Sequence, residues 1–343
     1  MPKWIVTGGA GFIGANAARL LADHDVESVI VDNLSRRSAP LNVEWLQRTC
    51  GRAVTLLRVD LRDRETIDAI FTEHANADAV LHLAGQVAVT TSVASPAADF
   101  EANIVGSFNV LEATRRHAPD AVFLNVSTNK VYGQLESHRV EETETRYVDA
   151  DFPSGVPETL PLAPTSPYAC SKTAADLYAL GYARVYGLRT LSLRQSCIYG
   201  PRQFGVEDQG WVAWLAIAAH LGRPITIFGT GKQTRDLLYV DDLVDLYLRA
   251  VERVDAATGR AYNIGGGPAN TLSLLELLAR LSPASVQHDA PRPGDQKVFV
   301  ADTSLAAADF DWRPATGIEA GLERLGEWVA DHAEQAASIL PPA

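Results

Sequence analysis

The sequence predicts an α/β protein: a doubly wound parallel sheet followed by a smaller, mixed α/β C-terminal domain. Three observations carry this expectation. Short apolar runs rich in β-branched residues alternate with amphipathic helical patterns through the first half. A glycine-rich turn joins the first run to the first helix. Beyond about residue 200 the alternation becomes irregular.

The strand runs are WIVTG (4–8), VESVIVDN (26–33), VTLLRVD (54–60), AVLHLAG (79–85) and AVFLNVST (121–128). They are apolar on both faces, as buried parallel strands are. Helical patterns near 14–23, 64–74 and 97–117 separate them, which implies right-handed crossovers. Residues 134–166 show no period and hold Pro153, Pro157, Pro161 and Pro164, with acids at Glu141, Glu142 and Glu144. A connection of this length is usually functional, and it reads as a lid or a pocket rim. The helix SPYACSKTAADLYALGYARVYG (166–187) follows, with Ser166 suited to the N-cap and Pro167 to the first turn. The rest reads as a strand over 189–200, helix 211–221, strand 225–229, helix 241–253, strand 261–265, helix 273–281, strand 298–302 and helix 317–333, without repeats. Residues 1–188 are expected to form the cofactor domain, with a return crossing near 236–262, and residues 189–343 mainly the substrate domain.

Composition narrows the function. With 47% of 343 residues apolar, the chain can bury a large core as one domain or two intimate ones. A net charge of −12 and a pI near 5.1 argue against a nucleic-acid partner, which needs a basic face. Cys50, Cys170 and Cys197 are odd in number and widely spaced, as in a reducing compartment, with neither a disulfide framework nor a metal site. No apolar run reaches the ~20 residues needed to span a membrane. The first strand starts by residue 4, leaving no room for a cleavable leader. A cytoplasmic protein with no membrane partner is expected.

TGGAGFIG (7–14) spaces Gly8, Gly11 and Gly14 between a strand and a helix. Glycine lets the backbone turn tightly and approach a pyrophosphate, and the helix N-terminus offers it free N–H groups. This is a Rossmann-type dinucleotide site. Asp32, 18 residues past Gly14, ends the second strand, where a carboxylate accepts both adenosine-ribose hydroxyls and repels a 2′-phosphate. That favours NAD, while Arg36 and Arg37 leave a phosphorylated ribose open. Tyr168 and Lys172 lie four apart on one helix and share a face. A phenol of ordinary pKa near 10 is a poor base at neutral pH. A neighbouring ammonium, a cationic nicotinamide and the helix start would each lower it, so Tyr168 reads as the base and Lys172 as its support.

TGGAGFIG, the Asp32-Asn33 strand end, HLAGQ (82–86), STNKVYG (127–133) and Tyr168-x-x-x-Lys172 together resemble the extended short-chain dehydrogenase/reductase superfamily of sugar-nucleotide enzymes. The resemblance continues through GTGKQTRDLLYVDDL (229–243) and NIGGG (263–267), nearly the whole chain. Within the superfamily, DNLSRR (32–37), HLAGQVAVTTSV (82–93), STNKVYG, ETETRY (142–147), SPYACSK (166–172) and GPRQFGVEDQGWV (200–212) are most similar to CDP-tyvelose (CDP-paratose) 2-epimerases. The resemblance implies a tightly held NAD and inversion at C2 of a nucleotide-linked sugar. It implies that Thr128 bonds the reacting hydroxyl and that Asn103 and Ser196 help seat the cofactor. The expected cofactor set is Gly8, Gly11, Phe12, Ile13, Gly14, Asp32, Asn33, Ser35, Arg36, Asp60, Leu61, Leu83, Ala84, Gln86, Asn103, Ser127, Tyr168, Lys172 and Ser196. It also implies a homodimer or homotetramer, because the helices equivalent to 97–117 and 168–186 form a bundle between subunits in relatives.

Sugar-nucleotide dehydratases of this superfamily carry Thr-Asp-Glu where this chain has Thr128, Asn129 and Lys130. Dehydration needs an acid for the leaving hydroxyl and a base for a carbon-bound proton, and Asn129 cannot ionise. Threonine with Tyr–Lys still supports removal and return of hydride. The expected reaction is therefore transient oxidation at C2 to a 2-keto sugar, rotation of that intermediate and return of hydride to its other face. A UDP-sugar 4-epimerase, or another nucleotide-sugar oxidoreductase of the superfamily, is the alternative, and Lys130 could instead shuttle a proton if burial lowered its pKa. Arg235 and Arg292 are candidates to grip the diphosphate, against the alternative of ordinary ion pairs. Thr91, Gln195, Trp211 and Val212 complete the expected substrate set. Gln86, Thr90 and Ser92 reach sugar hydroxyls or make local turns, Trp211 and Trp214 wall the base or fill core, and Cys170, Cys197 and His82 read as packing residues.

Overall fold

The computed structural model of the chain describes residues 1–292 and 295–340; Pro293 and Gly294 of the PRPGD stretch and the last three residues of the expected C-terminal domain lie outside them. The first half runs β1 (Lys3–Thr7), α1 (Phe12–Asp23), β2 (Glu27–Asp32), α2 (Ala39–Cys50), β3 (Val54–Arg58), α3 (Arg64–Glu73), β4 (Ala79–His82), α4 (Val89–Ala94), α5 (Pro96–Phe100), α6 (Gly106–His117), β5 (Val122–Thr128), β6 (Val140–Glu142), β7 (Tyr147–Asp149) and α7 (Pro167–Tyr186). The second runs β8 (Thr190–Gln195), β9 (Cys197–Tyr199), α8 (Trp211–His220), β10 (Ile225–Phe228), β11 (Thr234–Tyr239), α9 (Val240–Glu252), β12 (Arg260–Ile264), β13 (Thr271–Ser273), α10 (Leu274–Leu281), β14 (Val286–Asp289), β15 (Val298–Phe299), α11 (Ser304–Phe310), α12 (Ile318–Asp331) and α13 (Ala333–Ile339).

Seven strands form one sheet in the order β12-β8-β5-β4-β1-β2-β3, all parallel. Successive side chains of a strand face opposite sides, so Ile5 joins Val80, Phe123 and the α3 residues Ile67, Ile70 and Phe71. Val6 joins Leu81, Leu124 and the α9 residues Leu243 and Leu246 on the other face. Both faces are covered by helices, which is why the strand runs show no polar alternation. The strand order reverses between β1 and β4, so the ligand crevice of this fold opens beyond Thr7 and His82. β8 and β12, both beyond residue 188, belong to this sheet, so the chain alternates between the two layers from that point on. The second layer packs β10 with β14, and β9, β13 and β15 with β11, over Val212, Leu215, Ile217, Leu237, Leu325 and Trp328.

The expected doubly wound sheet is present, and most ends fall within a few residues of the sequence-based ones. α7 is capped as expected: the Ser166 hydroxyl accepts from the Ala169 N–H at 3.2 Å, Pro167 sits in the first turn, and Gly187 ends the helix at φ +72°. Other segments differ. The strand expected over 189–200 is two strands in two sheets, because Ser196 turns aside to donate its N–H to Ile264 O at 2.8 Å. The helix expected over 97–117 is interrupted by a π turn at Glu101–Val105, which separates α5 from α6. The segment 134–166 contains the β6–β7 hairpin, tied to the second layer where the Tyr147 N–H donates to Lys232 O at 2.9 Å and Arg146 pairs with Glu276. It is a fixed rim.

Candidate active site

The dinucleotide end is built from the β1–α1 turn. Gly8 has φ +71°, and a Cβ there would stand 2.7 Å from Ala84 N. A Cβ on Gly14 would stand 2.4 Å from Gly8 O and 2.5 Å from Gly9 Cα, so only glycine lets α1 approach the turn. The start of α1 has no side-chain cap and no acid in its first turn, which leaves its N–H groups and positive dipole end for an anion. At the end of β2, Asp32 accepts from Ala10 N at 3.0 Å and Leu34 N at 2.8 Å. Burial pushes its carboxyl up, against those two bonds and nearby Arg36. Asn33 donates to Asp60 at 3.0 Å, and Arg62 holds the Asp60 carboxyl well below the usual carboxylate range. A tight glycine turn against an uncapped helix start, with a carboxylate at the end of the next strand, fits NAD.

Arg36 reaches across from the β2 loop to hydrogen-bond Gln209, and its charge is felt at both Asp32 and Tyr168. Residues Phe12, Ile13, Leu83 and Ala84 lie where the β1–α1 turn faces the end of β4, and Ser35 sits exposed in the β2 loop. Leu61 is in the core. The Gln86 N–H donates to Asn103 Oδ1 at 2.8 Å, and Asn103 in turn donates to Asp99 at 3.1 Å and Ser171 at 3.0 Å. Asn103 therefore shapes the loop after β4 and is spent on protein partners. Ser196 is similarly engaged by Asp236.

The candidate catalytic residues lie where β5 meets α7. Tyr168 is 8% exposed, and Thr128 stands near enough to its hydroxyl to favour the phenolate. Lys172 donates to Val126 O at 2.5 Å. Burial pushes the phenol up to about 12, and the cation opposing this is Arg36. Among the protein's own groups desolvation outweighs Thr128 and Arg36, and the Lys172 Nζ is held by the Val126 carbonyl. Lys172 itself is pushed down to about 8 by burial, against Asp176 and Asp99. His82 is a core residue as expected, between Thr7 and Ser107 at 2.8 Å each.

Beyond Thr128, Asn129 (3.2 Å) and Lys130 (3.0 Å) both donate to Gln296 Oε1, and Gln296 Nε2 donates to Gly133 O. Burial, and then Arg235, pushes Lys130 down to about 8. Arg235 is buried and bonded to Thr234 O (2.8 Å), Gln296 O (2.7 Å) and Asp295 (2.9 Å). Arg292 pairs with Asp208 at 3.1 Å and lies over Phe228. Trp211 donates to Cys197 Sγ at 3.3 Å, beside this cluster. Two expected substrate contacts are turned away: Gln195 donates to Tyr247 inside the core, and Val212 packs in the second core. Thr91 is exposed on α4, and Cys170 is exposed where packing was expected. Asp99, Asp176, Ser171 and Gln296 were missed from sequence; only Asp176 left a local signal, four residues beyond Lys172.

Comparison with known proteins agrees with this geometry. The profile described as NAD dependent epimerase/dehydratase family matches residues 4–265. The chain is 40% identical over 338 residues to CDP-paratose 2-epimerase of Salmonella typhi, covering 96% of this chain and 99% of that one. It is 32% identical over 354 residues to dTDP-glucose 4,6-dehydratase of Neisseria gonorrhoeae, covering 96% and 95%. A crystal structure of UDP-glucuronic acid 4-epimerase from Bacillus cereus with UDP-glucuronic acid and NAD superposes with a TM-score of 0.82 at 26% identity, over 96% of this chain and 99% of that one. The glycine turn, the Asp32 strand end and the Tyr168–Thr128 pair thus stand in a chain that belongs to the NAD dependent epimerase/dehydratase family.

Proposed function

We propose that this chain is an NAD-dependent epimerase that inverts C2 of a CDP-linked sugar of the paratose/tyvelose type. The observation carrying this reading is the end of β5. Thr128 and Tyr168 meet there, and the next two residues are an amide and an amine held together on Gln296. No carboxylate follows Thr128 to protonate a leaving hydroxyl, and the 40% identity to a CDP-paratose 2-epimerase supports the same reading. Gly8, Gly11, Gly14 and the start of α1 would hold the pyrophosphate of NAD, Asp32 the adenosine ribose, and Lys172 the nicotinamide ribose. NAD, when bound, supplies a two-electron acceptor for the C2 hydrogen, a means of handing it back, and a positive charge beside the phenol. Tyr168 takes the proton of the C2 hydroxyl, Thr128 orients that hydroxyl, and the 2-keto sugar turns over before Tyr168 returns the proton. Arg235 and Arg292 anchor the diphosphate while the sugar rotates. The sheet side of the chain, mainly 1–188, carries the cofactor, and the second layer carries the sugar nucleotide.

The test is turnover of CDP-paratose in deuterium oxide, with the product examined by NMR. The expected product has inverted C2 and no deuterium there. Substantial label at C2 would reject internal return and make Lys130 the candidate proton carrier. A parallel screen of UDP- and GDP-sugars should show markedly slower conversion.

The apolar side chains Phe100, Phe108, Leu177, Tyr178 and Val185 are exposed along α5, α6 and α7. Such a patch suits a homodimer built on these helices. Leu177→Glu is expected to convert a dimer to a monomer in light scattering; an unchanged mass would remove this face from the interface. The three unpaired cysteines suit a reducing compartment such as the cytoplasm.

A further inference from the structure

We infer that Asp176, one helical turn beyond Lys172, is a positioning residue whose carboxylate, clamped by Arg194, holds the Lys172 ammonium in its charged form inside the core. Tyr168, Lys172 and Asp176 succeed one another at intervals of four on α7 and so share one face. Asp176 is 0% exposed. Its Oδ2 accepts from Arg194 Nε at 2.8 Å and Ser127 Oγ at 3.3 Å, while its buried Oδ1 has no hydrogen-bond partner. Arg194 donates onward to the Tyr132 hydroxyl at 2.9 Å, which donates to Asn263 at 2.8 Å. The pair is therefore fixed from β5, β8 and β12, one helical turn from Lys172.

A buried ion pair is seldom worth more to stability than apolar residues of the same shape, because both charges lose their hydration. The placement of this one is informative for that reason. Lys172 needs an anion nearby, since burial disfavours its charge and Val126 O is a neutral acceptor. Few charged groups face it. Asp176 lies on its own helix and is the larger influence raising its pKa, and Asp99 from α5 is the smaller. His82 from β4 is held neutral, its pKa pushed down to about 3 by burial and by Lys172. Tyr168 is a protonated phenol at neutral pH, and Arg194 stands behind Asp176.

The sign follows directly. Lys172 supports the phenolate only while protonated, so activity should fall as pH rises through its pKa. Removing the Asp176 charge lowers that pKa and moves the alkaline limb to lower pH. The test compares the unsubstituted protein with Asp176→Asn, and with Asp176→Asn/Arg194→Gln, which leaves no orphaned guanidinium should the single variant fail to fold. The chain has five lysines, so 15N labelling at Nζ and NMR can follow Lys172 alone. Its titration is expected to move down by about one pH unit or more in whichever variant folds, and the alkaline limb of kcat to move with it. A Lys172 titration unchanged from the unsubstituted protein overturns the inference. The activity arm rests on the proposed epimerase reading, but the NMR arm needs no substrate, so inactivity toward CDP-sugars would sink that reading and leave this one standing.

Discussion

Tyr168→Phe is expected to reduce turnover about 100- to 10,000-fold, the range for loss of one general acid–base group, with NAD still bound. The substitution removes one oxygen from a side chain that is otherwise enclosed by protein. Thr128 keeps its other partners, since its Oγ1 accepts from the Lys130 N–H at 3.3 Å and donates to Asn129 at 3.3 Å. The fold should therefore change by only about 1 kcal/mol. The cofactor cradle is built on other residues, Gly8, Gly14 and Asp32. NMR turnover together with the NAD content of the purified protein separates the two effects. Retained activity would remove Tyr168 from the role of base. Because the protein's own groups leave the phenol at about 12, base strength at neutral pH depends on the positive charge that a bound nicotinamide brings.

That dependence marks where the sequence stops being legible. The glycine turn, Asp32 at a strand end and the Tyr–Lys spacing all sit within short windows, where strand–turn–helix order dictates position. The same windows carry no energetics: four-residue spacing places Tyr168 and Lys172 on one face, but it does not show that burial pushes the phenol up and the ammonium down. Long-range partners were invisible. Gln296 meets Lys130 from 166 residues away, and Arg194 on β8 reaches Asp176 on α7. β11 was hidden for a related reason. TRDLLY carries Arg235 and Asp236, charges that argue against a buried strand, and every one of its residues is buried. Their pairing, which neutralises that objection, comes from the segments 265–267 and 295–301. α2 was missed because few of its residues face the core and its apolar stripe is weak.

Asp236→Ala is expected to be the most destabilising single change in the second layer. Asp236 is fully buried, and its carboxyl accepts from the Ser196 hydroxyl, the Gly267 N–H at 3.1 Å and the Ala301 N–H at 3.2 Å. It thereby joins the β8–β9 bend, the glycine loop after β12 and the segment after β15. A Cβ on Gly265 would stand 2.0 Å from its Oδ2, so the loop is shaped around this carboxyl. Alanine leaves three buried donors without an acceptor, each costing about 1–3 kcal/mol, and a total near 4 kcal/mol should lower Tm by about 5 °C or more. Asparagine should behave differently. Its oxygen can accept from both backbone amides while its NH2 donates to Ser196, whose hydroxyl turns to accept. Burial raises the Asp236 carboxyl above its ordinary value, so the folded state binds this proton more tightly than the unfolded one. The stability so gained is complete below the unfolded pKa and is lost as pH rises through the folded value. At neutral pH the charge is therefore a cost that Asp236→Asn removes, and that variant should stay within about 1 kcal/mol of the unsubstituted protein. Thermal unfolding at neutral pH distinguishes the two. Equal losses in both variants would mean that the negative charge, and not the acceptor geometry, holds these loops together.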